Sequence, residues 1–292
     1  RGLGDVYKRQ MYSTPLIFAA LGGVFSENSG IVNIGIEGMM TIGAFAGAAA
    51  GYMLGNPWLA FIIGGLAGGL FALVHALATV TFNADHTISG VAINLLAPGV
   101  ALFASKIMFD GATMTPTIPM EQKIPRPLNG LFPSGSILDT IFNAYATVFI
   151  AFILVAVTWY VLYKTKFGLR IRAVGEHPGA ADTLGISVAK TRYAAVIISG
   201  ILAGLGGASM SLAVVSSFRP TLISGHGYIA MAAVIFGKWR PQWAMAACLL
   251  FGFSTALSVY FGNPELPFSI NENLLSMIPY ITVSYTHLTL PT

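Results

Sequence analysis

Charged side chains are scarce in this 292-residue chain, of which only 9% of the residues are Asp, Glu, Lys or Arg. A soluble globular domain has about 25% charged residues, so the composition excludes that class. Hydrophobic residues make up 55% of the chain, and the mean hydropathy is +0.74. The sequence therefore predicts an integral membrane protein.

Cysteine and the common catalytic motifs are also nearly missing. Cys248 has no second cysteine to pair with, which excludes an internal disulfide and a cysteine metal site. The chain has no G-x-x-x-x-G-K-S/T phosphate loop, no G-x-S-x-G and no H-E-x-x-H. We therefore predict that it is not an enzyme and holds no cofactor or metal, and that any ATP used is hydrolysed on another chain. Membrane orientation explains the net charge of +4, so no nucleic-acid partner is expected.

Long apolar runs are abundant. A helix needs about 20 apolar residues to cross the hydrocarbon, whereas barrel strands alternate over about ten. The runs are continuous, so the predicted fold class is all-α, a polytopic membrane helix bundle with about eight or nine transmembrane segments, some broken or re-entrant. The predicted spans are 12–25, 36–54, 57–82, 88–109, 140–163, 193–217, 227–237, 241–262 and 273–283.

The two ends differ from the rest of the chain. RGLGDVYKRQ at 1–10 has four charged residues, and SYTHLTLPT at 284–292 abruptly replaces an apolar run. The neighbouring spans, 12–25 and 273–283, are each too short to cross a membrane. We expect 1–10 and 284–292 to be non-native sequence and 11–283 to be a single transmembrane domain cut at both ends.

Basic residues indicate the orientation. They cluster in and beside the connection 164–192, whereas the other long connection, 110–139, is rich in proline. The positive-inside rule therefore places 164–192 in the cytoplasm. The turn GKWRPQW, with Lys238 and Arg240, falls on the same side.

Two segments suggest an internal repeat. PWLAFIIGGLAGGLFALV from Pro57 and PQWAMAACLLFGFSTALS from Pro241 align without gaps and share five identities. The first follows an external turn and the second an internal turn, so an inverted repeat of the kind found in transporters is one hypothesis, and convergent packing of small residues is the other. A glycine at every fourth position predicts close helix packing. These glycines are Gly43, Gly47, Gly51 and Gly55, with Gly200 and Gly204.

Polar residues interrupt the apolar region at 26–40, SENSGIVNIGIEGMM. Ionisable groups are costly within a bilayer, and glycine weakens a helix interior. The pattern predicts a discontinuous segment that lines a polar cavity. The alternative is structural: Glu27 lies in a cytoplasmic turn, Glu37 begins a helix and Asn33 bonds to a neighbour. A weaker polar segment, 83–94, ends at Asn94.

Four segments in order resemble a known family. They are PLIFAALGGVFSENSGIVNIGIEGMMTIGAF, HTISGVAINLLAPG, FGLRIRAVGEHPGAADTLGISVAKTR and ISGHGYIAMAAVIFGKW. Together they are similar to the permease subunits of bacterial ABC importers of the simple-sugar and branched-chain amino acid class. Within that class they most resemble nucleoside-type permeases, which work with basic-membrane-protein lipoproteins.

The resemblance implies a multi-pass permease of the bacterial plasma (inner) membrane that imports nucleosides. Its implied partners are a second homologous permease, an ATP-binding subunit that carries the ATP, an extracytoplasmic substrate-binding lipoprotein and membrane lipid. In this hypothesis the polar groups of the translocation path are Asn33, Glu37 and Asn94, because nucleosides offer hydroxyls and base edges to bond.

The resemblance also implies that GEHPGAADTLGIS, within 164–192, carries the coupling helix that docks on the ATP-binding subunit. The residues favour a short helix: Pro178 suits the first turn, Leu184 offers an apolar contact and Gly185 can end the helix. A solvated turn with basic flanks is the alternative. The predicted coupling residues are Glu176, Pro178, Ala181, Asp182, Leu184 and Gly185.

Other functions stay open at this point. The cargo of an ABC permease could instead be a ribose-like simple sugar. A secondary transporter driven by an ion gradient, with Glu37 as the proton or cation site, is an alternative of a different class. The polar segment 26–40 argues against a non-transporting scaffold.

Overall fold

The computed structural model describes residues 3–129, 143–261 and 277, with side chains described from residue 12 to residue 256 outside the gap. In this part of the chain the regular structure is helical, with no strand. The predicted all-α polytopic bundle is confirmed. The helices are α1 (Leu3–Asn28), α2 (Ile36–Leu54), α3 (Pro57–Ala76), α4 (His86–Met108), α5 (Ala146–Lys164), α6 (Lys166–Glu176), α7 (Pro178–Thr183), α8 (Val188–Ser209), α9 (His226–Phe236) and α10 (Pro241–Phe261).

Among the described residues, four segments are long and apolar enough to cross a membrane. They are Pro57–Thr81, His86–Met108, Ala146–Lys164 and Val188–Val214, and α9 is a shorter apolar helix. The first and last continue α3 and α8 through one π-helical turn each. Helix α2 is of similar length, but it is rich in glycine and alanine and mostly buried by other helices. Its burial makes a strongly apolar surface unnecessary.

Glycines let the central helices approach closely, as predicted. Helix α8 packs against α1, α2 and α3. A Cβ at Gly64 of α3 would lie 2.7 Å from the carbonyl oxygen of Gly43, and one at Gly68 would lie 2.7 Å from the Cα of Gly204. No side chain fits at such distances. Gly55 has a different role, because it ends α2 in the left-handed conformation with φ of 66°.

The helix bounds agree with most of the predicted spans and correct one. The span 36–54 is α2 itself, but the short span 12–25 is part of α1, which runs from Leu3 to Asn28 and includes Pro15. Residues 3–10 are therefore helical. The predicted span 273–283 and the segment 284–292 lie outside the described residues, apart from Met277, as do 130–139 of the proline-rich connection and 140–142 of the next span.

The connection 164–192 is more helical than predicted, since the sequence analysis expected one short helix there. Helix α6 fills 166–176 and precedes the short helix α7. The missed signal is amphipathic: Gly168, Ile171 and Val174 are buried at helical spacing, while most of the other α6 residues are exposed or partly exposed. Basic residues lie between the buried positions of this helix, and the sequence analysis used them only to assign the orientation.

The proposed inverted repeat stays a hypothesis. Pro57 and Pro241 each begin a helix, α3 and α10 respectively. Each helix packs against the one before it, α3 against α2 and α10 against α9.

Candidate functional site

The chain breaks its helical path between α1 and α2, at 29–35, as the polar pattern at 26–40 predicted. Gly30 turns the chain with φ of 84°. The Ser26 hydroxyl donates a hydrogen bond of 2.7 Å to the carbonyl of Ile31. This bond replaces the backbone N–H that the carbonyl would accept in a continuous helix. We call 29–35 the break segment.

The break segment reaches deep into the bundle. Asn33 bonds to Ser199, which lies about 16 Å along α8 from its start at Val188. Asn94 lies about 12 Å along α4 from His86. Ser199 and Asn94 therefore both lie well inside segments that are long and apolar enough to cross a membrane.

Asn33 is completely buried. Its amide nitrogen donates to the Ser199 hydroxyl at 2.9 Å and approaches the Met39 sulfur at 3.3 Å. Its Oδ1 is buried without a hydrogen-bond partner. A buried acceptor without a partner raises the free energy of this conformation. A change of conformation that gives Oδ1 a donor would therefore be favoured.

Asn94 joins three parts of the chain. Its Oδ1 accepts a hydrogen bond from the backbone N–H of Gly38 at 2.8 Å. Its Nδ2 donates to the carbonyl of Ile34 at 2.9 Å and to the Tyr228 hydroxyl at 3.0 Å. Asn94 therefore holds the break segment and the first turns of α2 and α9 against α4.

Glu37 lies in the first turn of α2 and faces the start of α9. Its two carboxylate oxygens accept hydrogen bonds of 2.6 Å from the backbone N–H groups of Gly225 and Gly227. The start of a helix carries partial positive charge, which stabilises a carboxylate there. This close approach requires glycine at position 227, because a Cβ there would lie 2.6 Å from the Cα of Glu37.

The three residues predicted for the translocation path thus lie at one junction of α2, α4, α8 and α9. We call it the polar junction: Asn33, Glu37, Asn94, Ser199 and Tyr228, with the N–H groups of Gly225 and Gly227. Sequence reasoning missed Ser199, which has no local signal. It assigned Tyr228 only to the predicted span 227–237.

One side of the polar junction is open. The Tyr228 side chain is 49% exposed and Leu95, next to Asn94, is 75% exposed. A much smaller share of the residues of α4 than of α8 is buried by the rest of this chain. Large apolar side chains along α4, including Ile88 and Phe103, are also exposed. This open face can meet lipid or a second subunit.

The basic connections meet at one end of the bundle, which we call the basic end. Arg192 at the start of α8 donates to the carbonyl of Ser29 at 3.3 Å. Asn28 donates to the carbonyl of Trp239 at 3.2 Å, and the Trp239 indole donates to the carboxylate of Glu27. The connection 164–192 and the turn GKWRPQW are therefore on the same side, as predicted.

The predicted short helix at the basic end is confirmed as α7. Pro178 is its first residue, and the His177 ring accepts a hydrogen bond of 3.0 Å from the N–H of Ala180 as an N-terminal cap. Gly185 follows the helix with φ of 77°, and the N–H of Ile186 returns to the carbonyl of Ala181 at 3.1 Å. Sequence reasoning missed the cap at His177.

The predicted coupling residues differ in exposure. The Leu184 side chain is 80% exposed, although it is large and apolar. Glu176, Pro178, Asp182 and Gly185 are also exposed. Ala181 is buried and faces its own chain, so it can support α7 but is not available at the surface.

Helix α6 touches the break segment directly. A Cβ at Gly175 would overlap the carbonyl oxygen of Asn28 and lie 3.3 Å from the nitrogen of Gly30. The last turn of α6 therefore rests against the entry to the break segment. Contacts between backbones transmit displacement well, since neither side can relax by rotating a side chain.

Helix α4 begins at the same end with a capped turn. The Asp85 carboxylate accepts hydrogen bonds from the N–H groups of Ile88 and Thr87, and these bonds hold the pKa of Asp85 below its usual value. The ring of His86 accepts from the N–H of Val32 at 3.4 Å. Within the described residues, no group of three His, Cys, Asp or Glu side chains could hold a metal ion.

A polar junction among apolar, membrane-length helices and an exposed helix at the basic end suit a transport subunit, and comparisons with known proteins agree. The family described as "Branched-chain amino acid transport system / permease component" matches residues 10–283. The guanosine ABC transporter permease protein NupQ of Bacillus subtilis is 46% identical over 93% of this chain and 86% of its own length. The nucleoside ABC transporter permease protein NupC of Lactococcus lactis is 43% identical over 93% of this chain and 87% of its own length.

A more distant relative is named for a different cargo. A putative glucose ABC transporter permease of Haloferax volcanii is 35% identical over 92% of this chain and 86% of its own length. No solved structure gives a significant match. The match of residues 10–283 and these relatives together show that the chain is a multi-pass membrane protein that belongs to the family of permease components of branched-chain amino acid transport systems.

Proposed function

We propose that this permease forms half of the translocation path of an ATP-driven importer of nucleosides in the bacterial plasma membrane. The observation that carries the proposal is the 46% identity to a guanosine permease over 93% of this chain. In this proposal the chain pairs with a second homologous permease, a separate ATP-binding subunit that binds ATP, and an extracytoplasmic substrate-binding lipoprotein.

The open face of the polar junction is the proposed place for the second permease. Paired open faces would enclose a path between the two chains, with Tyr228 and Asn94 at its wall. Nucleosides offer hydroxyls and base edges, and the Tyr228 hydroxyl and the Asn94 amide can bond to both. Asn33 and Glu37 support this wall from inside the chain, because their side chains form hydrogen bonds with α8 and with the start of α9.

The proposed driving force arrives through the basic end. ATP closes the ATP-binding subunit and moves α6 and α7, which dock on it through Glu176, Pro178, Asp182, Leu184 and Gly185. Gly175 passes this displacement to the break segment, whose Asn33 belongs to the polar junction, and Glu37 passes it on to α9. ATP can shift the equilibrium only if it binds the two states with different affinity.

Uptake of labelled guanosine tests the cargo and the energy source together. The full chain is expressed with the permease, ATP-binding subunit and lipoprotein encoded beside it, in cells without nucleoside uptake. We expect uptake that unlabelled nucleosides inhibit and that ribose and glucose leave unchanged. Uptake should also persist after collapse of the proton gradient and stop when the ATP-binding subunit is deleted.

Three results would contradict the proposal. Inhibition of the uptake by ribose or glucose, but not by unlabelled nucleosides, would favour the sugar permease. Loss of uptake with the proton gradient, in the presence of ATP, would favour the ion-coupled transporter. Uptake without the ATP-binding subunit would exclude an ATP-driven importer.

A further inference from the structure

A cavity of about 520 Å³ lies at the basic end, between the end of α5 and the start of α10. Its walls are Trp159, Tyr163, Arg240, Gln242 and Trp243. Ligand-binding cavities have volumes of about 300–1,000 Å³, so this one can hold a small molecule or a lipid headgroup. It is separate from the polar junction, and none of its residues belongs to α7.

The depth of the cavity corresponds to a membrane interface. Trp159 lies about 8 Å along α5 from the last residue of that helix, Lys164. Trp243 is in the first turn of α10 and is 63% exposed. Tryptophan and tyrosine are enriched where lipid headgroups meet hydrocarbon, since their rings are apolar and their N–H or O–H groups are polar.

The charged side chain in the cavity wall is basic. Arg240 is part of the wall, and none of the five lining residues is a carboxylate. The ammonium of Lys164 lies 5.7 Å from the centre of the Trp159 ring, and the guanidinium of Arg172 lies 4.9 Å from that of Tyr163. Basic pockets between transmembrane helices bind anionic headgroups, and arginine pairs with phosphate through two parallel hydrogen bonds.

Apolar surface continues from the cavity toward the membrane interior. Phe152, seven residues before Trp159 on α5, and Leu250, seven residues after Trp243 on α10, lie on the helix faces of those tryptophans and are exposed. Acyl chains can pack along this surface while a phosphate stays at the level of Arg240. A soluble anion would use only the charged part.

We propose that this cavity binds the headgroup of an anionic phospholipid, with the acyl chains along α5 and α10. The site does not depend on which cargo the permease carries. A lipid bound here would link α5 to α10 at the basic end.

The test uses the assembled transporter in nanodiscs of phosphatidylcholine with a minor fraction of phosphatidylglycerol. Native mass spectrometry counts the phosphatidylglycerol that stays bound after release from the nanodisc. We expect Arg240→Gln to lower the apparent affinity about fivefold. Arg240→Lys should retain most of the binding, and Trp159→Ala should weaken it.

Lys238→Gln is the matched control, because Lys238 belongs to the same turn but does not line the cavity. An equal loss in Lys238→Gln and Arg240→Gln would show general attraction to the surface and overturn the proposal. Displacement of the bound lipid by millimolar inorganic phosphate would show a site for free anions and overturn it as well.

A second measurement needs no substitution. Phosphatidylglycerol with brominated acyl chains should quench the tryptophan fluorescence of the wild-type transporter more than brominated phosphatidylcholine at the same mole fraction. Equal quenching would contradict the proposal even if Arg240→Gln did not yield an intact complex.

Discussion

Single polar side chains hold the middle of this bundle together. Asn94 and Glu37 each satisfy hydrogen-bonding groups from other elements, so they are structural as well as candidates for the path. The two interpretations of 26–40 are therefore not exclusive. Glu37 begins a helix, as the structural alternative expected, and its carboxylate also caps the start of a second helix, α9.

Glu37→Gln tests that role at the residue scale. A glutamine presents one oxygen and one NH2 group, so one of the N–H groups of Gly225 and Gly227 loses its acceptor. The cost of such a buried unpaired donor is about 1–3 kcal/mol. We expect a lower thermal midpoint of the purified transporter and slower guanosine uptake.

Glu121→Gln makes the same chemical change at an exposed position in the proline-rich connection and serves as the control. It should leave the thermal midpoint and the uptake unchanged. An unchanged midpoint in Glu37→Gln would mean that the two 2.6 Å hydrogen bonds contribute little.

At the scale of elements, the contact between α6 and the break segment connects the basic end with the polar junction. Gly175→Ala would place a Cβ against the Asn28 carbonyl, and overpacking of this kind costs about 1–3 kcal/mol. We expect the substitution to separate ATP hydrolysis from transport. Cargo-stimulated ATPase activity should fall more than basal activity.

Gly179→Ala provides a matched control in the neighbouring helix. Its Cβ would meet only the His177 ring at 3.6 Å, an ordinary contact. Coupling in this variant should equal that of the wild type. Equal effects of the two substitutions, with the ATP-binding subunit still bound to both variants, would exclude Gly175 as the point of transmission.

For the whole molecule, the central question is which surfaces meet other subunits. Leu184→Asp changes an exposed apolar side chain on the proposed docking surface. We expect the variant to insert into the membrane but to lose the ATP-binding subunit during co-purification. Gly185→Pro should have the same effect, because proline cannot adopt the φ of 77° found there.

Met120→Asp is the control for this experiment. Met120 is 81% exposed, compared with 80% for Leu184, but it lies in the proline-rich connection 110–139. This variant should keep the ATP-binding subunit. Retention of the subunit by Leu184→Asp would contradict the assignment of α7 as the coupling helix.

The sequence by itself determined the class of protein and most of its helices. Continuous apolar runs require helices in lipid, because no water is present to satisfy a free backbone group. The short helix α7 was also predictable, since Pro178 and Gly185 act through their own backbone conformations. Helix α6 was predictable in principle from its buried stripe.

Only the tertiary structure decided how distant residues combine. Asn33 and Ser199 are 166 residues apart, and Glu37 and Gly225 are 188 residues apart, so no local pattern joins them. Their pairing depends on where helices cross, and close contacts at glycines, such as Gly64 against Gly43 and Gly227 against Glu37, occur at those crossings. The cavity beside Arg240 has the same origin, because its two walls belong to helices that meet only in the folded bundle.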